Sequence, residues 1–503
     1  MYIKKLKVWT ACFTGIALLL GSSLTVHAEP IDYYAEMEAR KTLPVQTNEI
    51  PGWPEGPAVG AESAILMDAQ TGAILYAKDI DARQYPASVT KIMTCLLAIE
   101  NSDLDEMVTF SHEAVFSIER GSSNIGMDEG ESITMNQALH GILILSANEV
   151  ANAVGEHVAG DAQSFVNMMN AKAEEIGCEN THFMNAHGLH NEEHYTSARD
   201  LALIAREFFS HDVLANISGM TYCTFEATET QPDSFTLATK NMLVEGKEYE
   251  YEWLVGSKTG YTNQARQTLV SCAKKDGMEL ICVVMVEESP YQFTDTVALF
   301  DYGFQNFKKV NVSENETNYT MTNTGFLESG SDIFGNSSPF ISLDKESYVI
   351  VPNTASFSDL TSELVYNTNR TDAVAEVQYF YEDNYVGETY VKVSGQTPVI
   401  FQNSPDTSGD NVISSDNNET EIASEAPSEE AVKPITNEDE DNIFINVKVI
   451  VIVVACIVVV VIGILFWRTI VKNYHFAKRR MARKRRKRRR TSYDSSEFKN
   501  LKF

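Results

Sequence analysis

The chain has 503 residues, 44% of them hydrophobic, and a net charge of −30; it can bury two or three cores but offers a polyanion little over most of its length. The charge is unevenly placed: from Arg468 onward 15 Lys and Arg face 2 acidic residues, a balance of +13, which leaves −43 for the rest. An acidic body with a basic tail excludes nucleic acid as partner of the main domain and points to two compartments.

Lys4, Lys5 and Lys7 precede the apolar run 11–20, and Val26-His27-Ala28 supplies small residues for cleavage, so residues 1–28 read as a secretory signal peptide. The Pro- and Gly-punctuated residues 29–60 are expected to wrap an edge of the next domain. Residues 63–67 and 73–77, separated by Asp68-Ala69-Gln70-Thr71-Gly72, predict a β-hairpin. Pro86-Ala87-Ser88-Val89-Thr90-Lys91 then leads into apolar residues at helical spacing, so Ser88 opens a buried helix with Lys91 beside it three residues on. Cys95 falls on the apolar face of that helix as a core thiol. A loop over 121–131 leads to a helix over 134–145, and a second helix over 149–158 leaves Ser146 and Asn148 on the turn between them, a place to project polar side chains into a cleft. A helix over 161–176 closes at Gly177. Ser197 caps a further helix to Phe209, with Asp200 completing a capping box.

His190-Asn191-Glu192-Glu193-His194 fits the H-x-x-E-H zinc-peptidase pattern. That chemistry needs both histidines on one face of a stable helix and a third ligand. Gly188 before the pattern and Tyr195-Thr196-Ser197 after it break such a helix, and no metal site is expected. Apolar strands follow over 254–260, 267–273 and 280–286, the last two buried, then an amphipathic helix over 296–307. Cys272 and Cys282 lie on neighbouring strands, which leaves a disulfide between them open, while the five cysteines outside the two apolar end segments form no disulfide framework.

Residues 61–307 therefore predict an α/β catalytic domain, one antiparallel sheet plus a helical cluster. Residues 308–400 predict a small β-rich domain with a hairpin turn at Glu382-Asp383-Asn384, Asn384 taking the left-handed conformation. It shows no catalytic constellation, which favours a spacer or interaction role. Residues 401–446 are an acidic disordered linker. Residues 447–468 hold an uninterrupted apolar run of 19 residues over 449–467, a transmembrane helix, and the basic tail 469–503 is placed in the cytoplasm by its charge.

A serine hydroxyl is a poor nucleophile until its proton is taken, and a desolvated, neutral amine held beside it can take it. S-x-x-K alone is weak, since an N-capping Ser before a solvated Lys gives the same letters. Ser146-Ala147-Asn148 and Lys258-Thr259-Gly260 follow in order, each at the end of an apolar run, and complete the set found in serine β-lactamases and penicillin-binding proteins. With Ala64-Ile65-Leu66-Met67-Asp68, Asn185-Ala186-His187-Gly188-Leu189 and Lys258-Thr259-Gly260-Tyr261-Thr262, the chain resembles the penicillin-binding D-alanyl-D-alanine carboxypeptidases, the low-molecular-weight serine peptidase S11 family. The likeness runs from about Glu62 to Phe304 and more weakly to about Gly395.

The resemblance implies a β-lactamase-like, transpeptidase-type catalytic domain acting on peptidoglycan stem peptides, with β-lactam antibiotics as covalent inhibitors and no metal or organic cofactor. It implies Ser88 as nucleophile, Lys91 as its base and Ser146 as a proton relay. It also implies Asn148 as an orienting amide, Lys258 with Thr259 gripping a carboxylate, Gly260 allowing close backbone approach to substrate, and the N–H groups of Ser88 and Tyr261 as oxyanion donors. The domain would face outward, held to the membrane by the C-terminal helix. Two positions depart from the family pattern: Ala147 stands where Gly is common, and Ala265-Arg266 stands where Ala-Gly is common, with Arg266 expected to face solvent. A DD-endopeptidase would use the same residues. A class A β-lactamase would need an E-x-x-L-N glutamate, which the chain lacks, and a catalytically inactive wall-binding or sensor protein would have no need of the intact motifs.

Overall fold

The computed structural model describes residues 32–393 apart from 226–233, 318, 320–340, 367, 369 and 371. The expected signal peptide, linker, transmembrane helix and basic tail lie outside the described residues, among which no helix is long and apolar enough to cross a membrane.

The frame is one antiparallel sheet. Its strands are β1 (Ser63–Asp68) and β2 (Ile74–Lys78), then, past the short ribbons β3 (Met107–Thr109) with β4 (Ser132–Thr134) and β5 (Tyr222–Phe225) with β6 (Phe235–Ala238), β7 (Leu254–Thr262), β8 (Arg266–Lys275) and β9 (Met278–Glu287). The order is β2-β1-β9-β8-β7, which leaves β7, the strand carrying Lys258, at an edge. Period-two alternation sends successive side chains to opposite faces. Ile65, Met67, Val270, Cys272, Ile281, Val283 and Met285 face a helical cluster, while Ala64, Leu66, Leu269, Leu280, Cys282 and Val284 face the helix Tyr291–Asn306 and the β-rich module. Both faces are dry, which is why these strands read as apolar runs without alternation.

The same alternation settles the cysteines. The register pairs Cys272 with Ile281 and Ser271 with Cys282, so the two thiols point to opposite faces and stay free.

The helical cluster comprises Lys91–Asn101, Met135–His140, Asn148–Ala159, Ala162–Ile176 and Ala198–Ser210. Gly177 closes Ala162–Ile176 at φ 93°, as its position predicts. Ser197 caps Ala198–Ser210 through Asp200 N–H, but the Asp200 carboxylate does not return to the cap. It accepts instead from Asn180 N (2.7 Å) and Thr181 Oγ1 (2.7 Å), fastening the preceding loop. The last helix starts at Tyr291, directly after Pro290, five residues before its expected start, because Gln292 and Phe293 are buried against the sheet.

The β-rich module begins at β10 (Phe307–Asn311), paired with β12 (Tyr348–Pro352), and continues in a four-stranded sheet of order β11-β15-β14-β13, formed by β11 (Ile341–Leu343), β13 (Leu360–Val365), β14 (Ala373–Tyr381) and β15 (Asn384–Val393). It includes one helical turn, Val312–Asn315. At the β14–β15 turn Glu382, not Asn384, takes positive φ (52°). Tyr381 pairs with Asn384, so Glu382 is the first central residue of a two-residue turn, and that residue must be left-handed. The module is tied to the main sheet where the Tyr348 hydroxyl donates to buried Asp68 (3.2 Å) and Lys309 Nζ donates to Gly277 O (2.9 Å).

Candidate active site

Ser88 does not sit on an α-helix. Residues Ala87–Thr90 form a 3-10 turn, and the α-helix begins at Lys91. Ala87 takes positive φ (51°), and that kink lifts the half-buried Ser88 to the head of the helix. Lys91 is fully buried, and its Nζ lies 3.2 Å from Ser88 Oγ, 2.6 Å from Asn148 Oδ1 and 2.6 Å from the His187 carbonyl. No carboxylate bonds it. Burial, with the charge of Lys258 adding to it, holds its amine well below the usual lysine range. Both short partners are pure acceptors, so a neutral amine spends its two protons on them and turns its lone pair to Ser88.

Across the cleft the helix Met135–His140 runs into a single π-turn, Gly141–Leu145, which ends at Ser146 in left-handed conformation (φ 65°, ψ 36°). Such turns inside helices redirect side chains. Here Ser146 Oγ accepts from Lys258 Nζ at 3.1 Å. Lys258 Nζ also donates to Thr259 O at 2.7 Å, and burial brings its pKa down to about 7. Asn148 is the first residue of Asn148–Ala159 rather than part of the turn, and Ala147 sits at φ −60°, where alanine fits as well as glycine.

Gly260 has a specific steric reason. A Cβ there would lie 2.9 Å from Ser88 N, 3.1 Å from Pro86 O and 2.3 Å from Thr268 Oγ1, so the strand presses on the turn that carries Ser88. Tyr261 follows with its ring 48% exposed and its hydroxyl donating to Asn263 Oδ1. Hydrogen bonds thus join Ser88 and Asn148 to Lys91, and separately Ser146 to Lys258, with Thr259, Gly260 and Tyr261 continuing the edge strand.

Arg266 corrects an expectation. It does not face solvent: Nε and Nη2 grip Glu288 at 2.8 and 2.6 Å, and the guanidinium lies 3.7 Å from the Tyr33 ring centre. Its φ of 56° explains why glycine suits this position, and the bidentate pair offsets the strain.

Sequence reasoning missed several supports. Buried Glu149 accepts from Ile125 N (2.6 Å) and Gly126 N (3.2 Å), and Asn148 N donates to Ser123 O (2.9 Å), which pins the loop over the cleft. The only signal was an acid directly after the S-x-N motif. The H-x-x-E-H segment is a loop, as its flanks predict, and its buried His194 bonds Thr90 and Met184; among the described residues no group of acids, histidines and cysteines stands together as a metal set.

A serine beside a desolvated lysine, faced by a second serine–lysine pair and an edge strand, is the arrangement that serine–lysine nucleophilic chemistry needs. The profile of the peptidase S11 family, described as D-alanyl-D-alanine carboxypeptidase, matches residues 51–289. The D-alanyl-D-alanine carboxypeptidase DacF of Bacillus subtilis is 36% identical over 255 residues, covering 49% of this chain and 63% of that one. DacB2 of Mycobacterium tuberculosis, also a D-alanyl-D-alanine carboxypeptidase, is 30% identical over 50% of this chain and 84% of its own. The crystal structure of penicillin binding protein 6B from Escherichia coli superposes with a TM-score of 0.51 at 25% identity, covering 69% of this chain and 99% of that one. The chain belongs to the D-alanyl-D-alanine carboxypeptidase family, peptidase S11.

Proposed function

We propose that this protein is a serine-type D-alanyl-D-alanine carboxypeptidase that removes the terminal D-alanine from peptidoglycan stem pentapeptides through an acyl-enzyme on Ser88. The observation that carries the reading is the Lys91 amine, buried without a carboxylate partner and 3.2 Å from Ser88 Oγ. Lys91 takes the Ser88 proton as Oγ attacks the penultimate carbonyl. The oxyanion is held by the N–H groups of Ser88 and Tyr261, each such donor being worth about 2.7–4 kcal/mol. Ser146, bonded to Lys258, relays to the departing D-alanine amine the proton that Lys91 took from Ser88, which returns Lys91 to its neutral form, and Asn148 keeps Lys91 aimed. Lys258 and Thr259 receive the free carboxylate of the substrate. Water, deprotonated by Lys91, then releases the shortened peptide. A penicillin carries a carboxylate beside a strained amide, and its opened ring stays tethered, so the same serine is trapped.

The test is a fluorescent penicillin followed on a gel, with D-alanine release from a stem pentapeptide measured alongside. The wild-type chain is labelled and releases D-alanine; Ser88→Ala does neither while staying folded. Labelling that persists in Ser88→Ala refutes the assignment.

For attachment we propose a span over 449–467 with the catalytic domain outside the cell. The run has no polar side chain other than Cys456, so it lacks the wet face of an interfacial helix. The full chain should stay in the membrane pellet after carbonate extraction, and release by carbonate would overturn the span.

A further inference from the structure

His194 is almost fully buried, bonds none of the proposed reacting groups directly, and every hydrogen bond its ring makes has a determined direction. The Met184 N–H donates to His194 Nδ1 at 3.0 Å, so that nitrogen carries the lone pair and the proton sits on Nε2. Nε2–H therefore donates to Thr90 Oγ1 at 2.8 Å. Thr90 in turn donates its own proton to the Ala87 carbonyl at 2.9 Å. Ala87 is the left-handed residue directly before Ser88, a strained conformation that must be held by its surroundings.

We propose that His194 is a positioning residue for acylation: through Thr90 it holds the Ala87 carbonyl, and with it the kinked turn that presents Ser88. The proposal rests on Ser88 being the nucleophile. The loop carrying His194 also grips the helix that follows this turn. Lys91 Nζ donates to His187 O at 2.6 Å and Thr94 Oγ1 to Ala186 O at 2.6 Å. A Cβ on Gly188 would stand 1.9 Å from Ala87 O, so the loop backbone lies directly on that carbonyl. Burial keeps the imidazole neutral, with its pKa lowered to about 3, so the direction of the relay is the same throughout the neutral range.

A threonine bonding the carbonyl three residues back is an ordinary local contact, so the test must separate positioning from packing. The noncovalent binding constant and the acylation rate constant for a fluorescent penicillin are measured on the full chain. Thr90→Val keeps the shape and cuts the relay at the hydroxyl. It should lower the acylation rate constant fivefold or more while the binding constant changes less than threefold. His194→Gln, whose amide can accept from Met184 and donate to Thr90, should acylate within threefold of wild type, whereas His194→Ala should match Thr90→Val. The double variant should be no slower than either single one, since both cut one chain. If His194→Ala does not fold, Thr90→Val and His194→Gln still decide. A folded Thr90→Val with less than a fivefold loss overturns the proposal, as does a His194→Gln as slow as Thr90→Val. A wild-type chain that penicillin does not acylate would instead refute Ser88 as the nucleophile.

Discussion

Replacing Gly260 by Ala adds one methyl where the edge strand presses on the Ser88 turn. Ordinary van der Waals separation is about 3.5 Å. Against 2.9 Å to Ser88 N and 2.3 Å to Thr268 Oγ1, the new carbon falls short by roughly 0.6 and 1.2 Å. Neither neighbour can yield freely. Ser88 N is backbone, and Thr268 is buried with its hydroxyl committed to Pro86 O at 2.9 Å. The strand or the nucleophile turn must move. Overpacking of this kind costs about 1–3 kcal/mol, or roughly 2–4 °C in Tm for each kcal/mol in a domain this size. Catalysis should suffer more, because Ser88 N–H is one of the two proposed oxyanion donors, and losing one costs about 10²–10³ in rate. The assay is the acylation rate by fluorescent penicillin, run well below the melting temperature, beside a thermal melt. Gly177→Ala is the control: at φ 93° with open space around it, it should lose stability and keep its acylation rate. Acylation of Gly260→Ala within threefold of wild type would refute the reasoning.

The main sheet was legible because β1, β8 and β9 are buried on both faces and therefore read as apolar runs. The motif residues were legible because each sits where an apolar run ends and the chain turns. Local sequence could not show that Ala87 is left-handed, since the backbone lying against its carbonyl, at Gly188, comes a hundred residues later. Arg266 was misread for a related reason. Its charge partner lies 22 positions on and the ring beneath it belongs to Tyr33, so neither is within the reach of local pattern. Asp200 shows that a capping-box spelling is satisfied only when no stronger set of donors competes. Here three donors from the 179–181 loop take the carboxylate. The third partner of Lys91, a backbone carbonyl at His187, has no signature in residue type at all.

Arg266→Gly relieves the left-handed strain but leaves the Glu288 carboxylate, 6% exposed, without its partner, for a net loss of about 2 kcal/mol in a urea melt. Adding Glu288→Gln should recover most of that loss, and a double variant as unstable as the single one would show that the pair is not the cause. The last prediction concerns pH. The Lys258 amine titrates at about 7, so it is charged below that pH and neutral above it. Burial, with repulsion from Lys258 adding to it, also lowers the Lys91 amine, which favours the neutral form the proposed base needs. The sign follows: as pH rises through about 7, Lys258 loses the charge that receives the substrate carboxylate, and kcat/KM, which reports the free enzyme, should fall about tenfold per pH unit. A substrate with an amidated C-terminus has no carboxylate to lose, so its falling limb should vanish. Lys258→Arg, charged at every accessible pH, should move the limb out of range even where the absolute rate drops. The same falling limb for the acid and the amide would mean that Lys258 acts on the chemistry through Ser146 rather than on recognition of the carboxylate.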